Sequence, residues 1–162
     1  MAFEDGSFDA VVLLGPLYHL AAAEDRLAAL REAGRVTRPG GLVFAAALSR
    51  YIAFGRVALA REAQASVPGE WLDLIAAGVP TRGGRFPAGH FHTAEELEAE
   101  LVAAGLAVEE VVGVEGPAGL FLESSRTVDD DIREAALVIA RASSSAPAIR
   151  DFSAHLLAIA RV

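Results

Sequence analysis

Phe8-Asp9-Ala10-Val11-Val12-Leu13-Leu14 is closed by Gly15-Pro16, and a second apolar run, Leu42-Val43-Phe44-Ala45-Ala46-Ala47-Leu48, follows further on. Both runs are short and continuous, and the first is rich in Val. That pattern favours strands buried on both faces, as in a parallel sheet. Between them, Ala22–Val36 has helical spacing: Leu27, Leu30 and Ala33 share a face with Val36, while Arg26, Arg31 and Arg35 fall elsewhere. Glu24 and Asp25 sit near its start, where the helix dipole favours acidic groups. Arg38-Pro39-Gly40-Gly41 reads as a stop and turn. A strand, a helix and a strand joined by short links form a βαβ unit, so the two strands are expected to be parallel and the fold class α/β.

Working outward, Ile52–Ala65 is helical in composition, Pro68-Gly69 interrupts it, and a shorter helix is expected near Glu70–Ala77. Gly78–Gly89 reads as a loop. Residues 50–89 together read as a helical lid inserted over one end of the sheet. Thr93-Ala94-Glu95-Glu96 is a capping box opening a helix, with Gly105 at its C′ position. Leu106–Val114 reads as a strand, partly exposed or at an edge because of Glu109 and Glu110. A short helix over Ala118–Leu122 is expected next. Thr127–Asp130 resembles a second capping box, opening a helix to about Ala142; Ala146–Phe152 reads as another short helix. His155–Val162 reads best as a final strand. The whole of 1–162 is expected to form one domain.

Bulk properties narrow the function. The chain has 162 residues, 53% hydrophobic and 22% charged, enough for a substantial core. Its formal net charge of -8, with no Lys/Arg cluster, argues against a nucleic-acid partner. It has no Cys, which removes disulfides, thiolate metal sites and thiol nucleophiles. The acidic start is unlike a secretory leader, and no apolar run is long enough to span a bilayer. A cytoplasmic protein with no membrane partner is the expectation.

One feature of the topology is anomalous. Phe8–Leu14 is the most hydrophobic strand, yet only Leu42–Leu48 is available to pair with it. Its other side would be an apolar edge of the kind natural proteins avoid. Either a partner covers it, for instance a second copy in a homodimer, or the chain continues upstream.

The stretches FEDGSFDAVVLLGPLYHL (3–20) and LREAGRVTRPGGLVFAA (30–46) resemble the second half of class I S-adenosylmethionine-dependent methyltransferases of the type 11 kind. HFHTAEELEAELVAAG (90–105) and VEGP (114–117) are also similar to a bacterial branch of that family. The resemblance implies a partial Rossmann-like, doubly wound sheet. Its strands would be equivalent to 4, 5, 7 and 6 of the family order 3-2-1-4-5-7-6, with the last strand antiparallel and inserted between Leu42–Leu48 and Leu106–Val114. It implies S-adenosylmethionine as cofactor and a small-molecule methyl acceptor. The family's Gly-x-Gly-x-Gly turn, its ribose-binding acidic residue and its adenine-binding Asp have no counterpart here. The chain is therefore expected to be a truncated form, inactive alone; the alternative is a non-catalytic half-domain that dimerises or pairs through its first strand.

Ligands of such sheets bind outside the carboxyl ends of the strands. Gly15, Pro16 and Leu17, after the first strand, are the cofactor-binding candidates. His19 and Tyr18 are the catalytic candidates. His19 suits a general base or substrate contact, or a backbone hydrogen bond at a helix start. Tyr18 suits substrate stacking, or a core aromatic with a satisfied hydroxyl. Arg50 and Tyr51, after the second strand, suit an anionic or aromatic substrate, or an ordinary surface. His90 and His92 are assigned to the substrate pocket or lid; no third ligand is placed by spacing, so no metal is expected. Glu115, before Gly-Pro, reads as a pocket carboxylate or a turn residue.

Overall fold

The two apolar runs pair with each other. In the computed structural model, which describes residues 3–51, 69–80, 88–125 and 127–162, β1 (Phe8–Leu13) and β2 (Thr37–Ser49) are parallel, with Val11 opposite Val43 and Leu13 opposite Ala45. α1 (Pro16–His19) and α2 (Ala23–Val36) make the crossover between them. α3 (Gly69–Ala77) follows, then β3 (Phe91–His92), α4 (Ala94–Ala103), β4 (Ala107–Gly113), α5 (Gly119–Ser124), α6 (Asp130–Ser143), a 3-10 turn at Arg150–Phe152, and β5 (His155–Arg161).

β5 is antiparallel to both its neighbours and lies between β2 and β4, so the sheet order is β1-β2-β5-β4, with β3 parallel against the end of β2. This is the order the family resemblance implies.

Side chains alternate across the strands, and one face carries the core. Val43, Ala45 and Ala47 of β2 and Leu156, Ala158 and Ala160 of β5 are fully buried there. Leu30 and Ala33 of α2 and Leu97 and Leu101 of α4 pack into the same cluster. The small alanines let the helices approach the sheet closely. The opposite face is far more open: Val12 is 59% exposed, Leu14 is 60% exposed, and Phe44, Leu157 and Ile159 are only partly buried. Among the described residues, β1 has a single strand neighbour and β4 is the other edge, with Glu109 and Glu110 exposed as expected.

α4 begins as the capping box requires. The Thr93 hydroxyl accepts from the Glu96 N–H at 3.2 Å, and the Glu96 carboxylate accepts from the Thr93 N–H at 3.1 Å. Gly105, at φ 88°, closes the helix in the left-handed region. Thr93→Ala is expected to cost about 1 kcal/mol, read as a lower thermal midpoint.

Several expectations are corrected. Strand β2 begins at Thr37 rather than Leu42; the Arg38–Gly41 turn is absorbed as an irregularity, since Phe8 faces Thr37 but Ala10 faces Leu42. Thr127–Asp130 makes no capping box: Asp129 is the N-cap of α6 and makes no side-chain cap bond. Over Ala146–Phe152 only the Arg150–Phe152 turn is helical. Phe91–His92 forms a strand because the end of β2 leaves backbone groups for it to pair with. Arg26 is only 4% exposed, for the electrostatic reason given below. The helix expected over Ile52–Ala65 falls outside the described residues. Among the described residues, no helix is long and apolar enough to cross a membrane.

Candidate active-site crevice

α1 starts directly after β1, with Gly15 as N-cap and Pro16 at the first helical position. Leu17 turns into the core and is fully buried. Tyr18 turns the other way: its hydroxyl donates to the Leu14 carbonyl at 2.7 Å, and it packs against the cluster of Leu48, Leu74 and Phe91. Its ring centroid lies 4.9 Å from that of His19 and 6.4 Å from that of His155. His155 opens β5 and pairs in register with Leu48 near the carboxyl end of β2. Tyr18, His19 and His155 thus meet at the end of the sheet where ligands of doubly wound folds bind.

Glu115 holds His155 in place. One carboxylate oxygen makes a short hydrogen bond with Nδ1 of His155. The other accepts from the His155 backbone N–H at 2.9 Å and from the Ser153 hydroxyl at 2.7 Å. Ser153 Oγ in turn accepts from the Glu115 N–H at 2.8 Å and the Gly116 N–H at 3.3 Å. Burial alone would raise the pKa of Glu115, but the hydrogen bonds from His155 and Ser153 outweigh it and bring it down to about 2. Ser153 is wholly buried and its oxygen is fully occupied, so it is a structural member of the group.

The substrate candidates Arg50, His90 and His92 belong to a second, buried group. Arg50 is 6% exposed, and its guanidinium forms a short ion pair with Glu96. His92 is fully buried, with Nε2 3.2 Å from a Glu100 oxygen; among the described residues its Nδ1 has no hydrogen-bond partner. The rings of His90 and His92 meet edge-to-face at 4.5 Å. Arg26 reaches the same Glu100 with its Nε at 2.9 Å and Nη2 at 2.7 Å, and donates Nη1 to the carbonyls of Leu20 and Ala21. This pairing is what buries a charged residue expected on an open face. Tyr51 follows Arg50, and its N–H donates to the Ser49 hydroxyl at 3.3 Å. The structure therefore gathers Tyr18 and His19 with His155, while Arg50 and His92 are committed to carboxylates inside the protein. Among the described residues, no group of three or more potential ligands is placed to hold a metal ion.

Acidity couples to this network. Burial, followed by the charges of His92 and Arg26, lowers His90 to about 4 from 6.5. The unfolded chain therefore takes up this proton first, and stability is expected to fall as pH drops from about 6.5 toward 4. Burial would raise Glu100, but hydrogen bonds from His92 and Arg26 outweigh it and lower it to about 2 from 4.5. Its contribution, like that of Glu115, is present above about 4.5 and is lost toward 2. Urea unfolding across this range should show both losses, and His90→Gln should remove only the upper one.

The crevice tests whether S-adenosylmethionine fits the described residues. Of the cofactor candidates, Gly15 is half-buried, Pro16 is exposed, and Leu17 is sealed in the core. The nearby carboxylates are engaged: Glu96 with Arg50, Glu100 with Arg26 and His92, Glu115 with His155, and Asp151 with the Ala94 N–H. None is left for ribose hydroxyls. These residues fit one edge of the cofactor and not the whole of it.

Helices α2 and α4 on one face, the sheet order and the crevice at its carboxyl end define the Rossmann-like α/β fold of class I methyltransferases. Residues 1–45 match the family model described as methyltransferase domain. No curated protein sequence matches the chain. Among solved structures, an S-adenosylmethionine-dependent methyltransferase from Thermotoga maritima, described as a possible histamine N-methyltransferase, superposes with TM-score 0.54 at 15% identity, over 99% of this chain and 59% of that one. One from Mesorhizobium loti superposes with TM-score 0.52 at 18% identity, over 100% and 65%, and one from Archaeoglobus fulgidus with TM-score 0.52 at 13% identity, over 99% and 62%. The chain thus spans less than two thirds of each of these structures. The family match is confined to residues 1–45, and what the chain shares with these structures is the fold.

Glu115, Ser153 and His155 are a group that the sequence reading did not assemble. Glu115 lies 38 residues from Ser153 and 40 from His155, and His155 reads there only as the first residue of a strand.

Proposed function

We propose that the chain is the acceptor-side part of an S-adenosylmethionine-dependent methyltransferase that acts on a small molecule. The observation that carries this reading is the convergence of Gly15–His19 and His155 at the carboxyl ends of β1 and β2. When bound, the cofactor supplies the methyl group as a sulfonium. The protein's part is to position the acceptor and exclude water. Gly15 and Pro16 line the cofactor, segment 50–89 selects the acceptor, and the remaining cofactor contacts come from residues other than the described ones. Hydrogen exchange tests the placement. Millimolar S-adenosylmethionine should slow exchange in residues 14–19 and leave α6 unchanged; unchanged exchange in 14–19 would contradict it.

A second reading is a half-domain that pairs through its first strand. β1 carries Val12, and Leu14 follows it, both exposed at an edge of the sheet that a second copy could cover across a two-fold axis. Light scattering should then show a dimer that Val12→Lys converts to monomer; a monomeric wild type would rule this reading out.

A further inference from the structure

We propose that Leu74 is a built-in plug: it fills an apolar pocket beside Tyr18, and an aromatic part of the acceptor enters by displacing α3 from that place. The inference rests on the reading of this crevice as the acceptor side of a methyltransferase. Leu74, Leu48 and Phe91 are buried and form a small cluster of their own, apart from the main core, with Tyr18 packed against it. Leu48 lies near the carboxyl end of β2 and pairs with Phe91 of β3, so the pocket stands at the ligand end of the sheet. Of the side chains described on α3, Leu74 alone is buried, whereas Leu72, Asp73 and Ala76 are exposed. α4, by contrast, buries Ala94, Leu97 and Leu101. A helix of 9 residues is not stable by propensity alone, and one leucine is a thin attachment. α3 therefore opens locally at far lower cost than global unfolding.

The chain also supplies a pivot. Gly78, at φ +67°, follows α3, and its carbonyl accepts from the Phe91 N–H at 2.9 Å. An added Cβ there would stand 2.1 Å from the Phe91 carbonyl oxygen, so Gly78 is pinned against β3. Leu74 lies one turn before it, its carbonyl accepting from the Gly78 N–H at 2.9 Å. A further tie to the α3 backbone is long and weak: Arg50 Nη1 donates to the Ala76 carbonyl at 3.4 Å. When that bond breaks Arg50 keeps its ion pair with Glu96, so swinging α3 away about Gly78 strands no charge. The space Leu74 vacates is walled by the rings of Phe91 and Tyr18 and by Leu48, which suits a neutral aromatic group. A leucine that merely completes the core would keep α3 in place whatever binds nearby.

The test uses the whole chain and indole, a neutral aromatic probe, with no cofactor present. Saturating indole should speed hydrogen exchange in residues 72–77 of wild type about five-fold, because a detached short helix frays. It should slow exchange in residues 17–20 and leave α4 unchanged. By calorimetry, Leu74→Ala should bind indole about ten-fold more tightly, since no plug has to be displaced. The wild-type exchange needs no variant, and Leu74→Val, expected to fall between the two in affinity, guards against a fold lost in Leu74→Ala. Exchange in 72–77 that indole leaves unchanged or slows overturns the proposal, because α3 would then be a fixed wall; so does equal affinity in wild type and a folded Leu74→Ala, or no binding to either. Because no cofactor takes part, displacement of α3 by indole without protection of residues 14–19 by S-adenosylmethionine would defeat the methyl-transfer reading alone. Protection by S-adenosylmethionine without displacement would defeat only the plug.

Discussion

Glu100→Ala is expected to destabilise the protein by about 3–5 kcal/mol, because it strands a buried guanidinium without its counter-charge. Arg26 is 4% exposed and gives two of its nitrogens to Glu100. The carbonyls of Leu20 and Ala21 engage Nη1 but cannot neutralise the charge. His92, wholly buried, would lose its Nε2 partner in the same change. Folded domains retain only about 5–15 kcal/mol, so this single truncation should bring the chain close to unfolding. Urea denaturation reads the effect. A loss below about 1 kcal/mol would mean that water replaces the carboxylate and that the network is not sealed. Arg26→Met, which removes the charge and keeps the apolar stem, should cost less.

Gly89→Ala is expected to be the other severe change. Gly89 has φ of +123°, which side-chain-bearing residues rarely adopt. An added Cβ would also stand 2.0 Å from the Tyr18 carbonyl oxygen, a backbone atom that cannot rotate away. Strain and overlap together should cost at least about 2 kcal/mol. The consequence reaches beyond stability, because the displaced backbone is that of α1, which carries Tyr18 and His19. Gly89→Ala should therefore speed hydrogen exchange in residues 16–20 even at temperatures where the fold survives. Thermal unfolding and hydrogen exchange on the same sample separate the two effects, and an unchanged midpoint would show that residues 88–90 are not held against α1.

Much of the fold was legible because it is local. The runs Phe8–Leu14 and Leu42–Leu48, the helical spacing of Leu30 and Ala33, and the Thr93–Glu96 box each announce themselves within a few residues. The antiparallel insertion of His155–Arg161 came instead from family resemblance; no local pattern tells a strand which neighbours it will choose. The site was less legible for the same reason. Residues 15–19 follow a strand end and could be placed by topology alone. The Glu115–His155 pairing depends on the β4–β5 register, and the burial of Arg26 depends on α4 bringing Glu100 across to α2. Arg50 and His92 have residue types suited to a ligand, yet the nearest charges are the carboxylates of α4.

Calorimetric titration of this chain with S-adenosylmethionine tests the central claim most directly. The described residues offer one edge of a cofactor site, so the account predicts weak binding with a Kd of about 1 mM, worth about 4 kcal/mol. Saturable binding in the micromolar range would contradict it, because these residues would then complete the cofactor site by themselves.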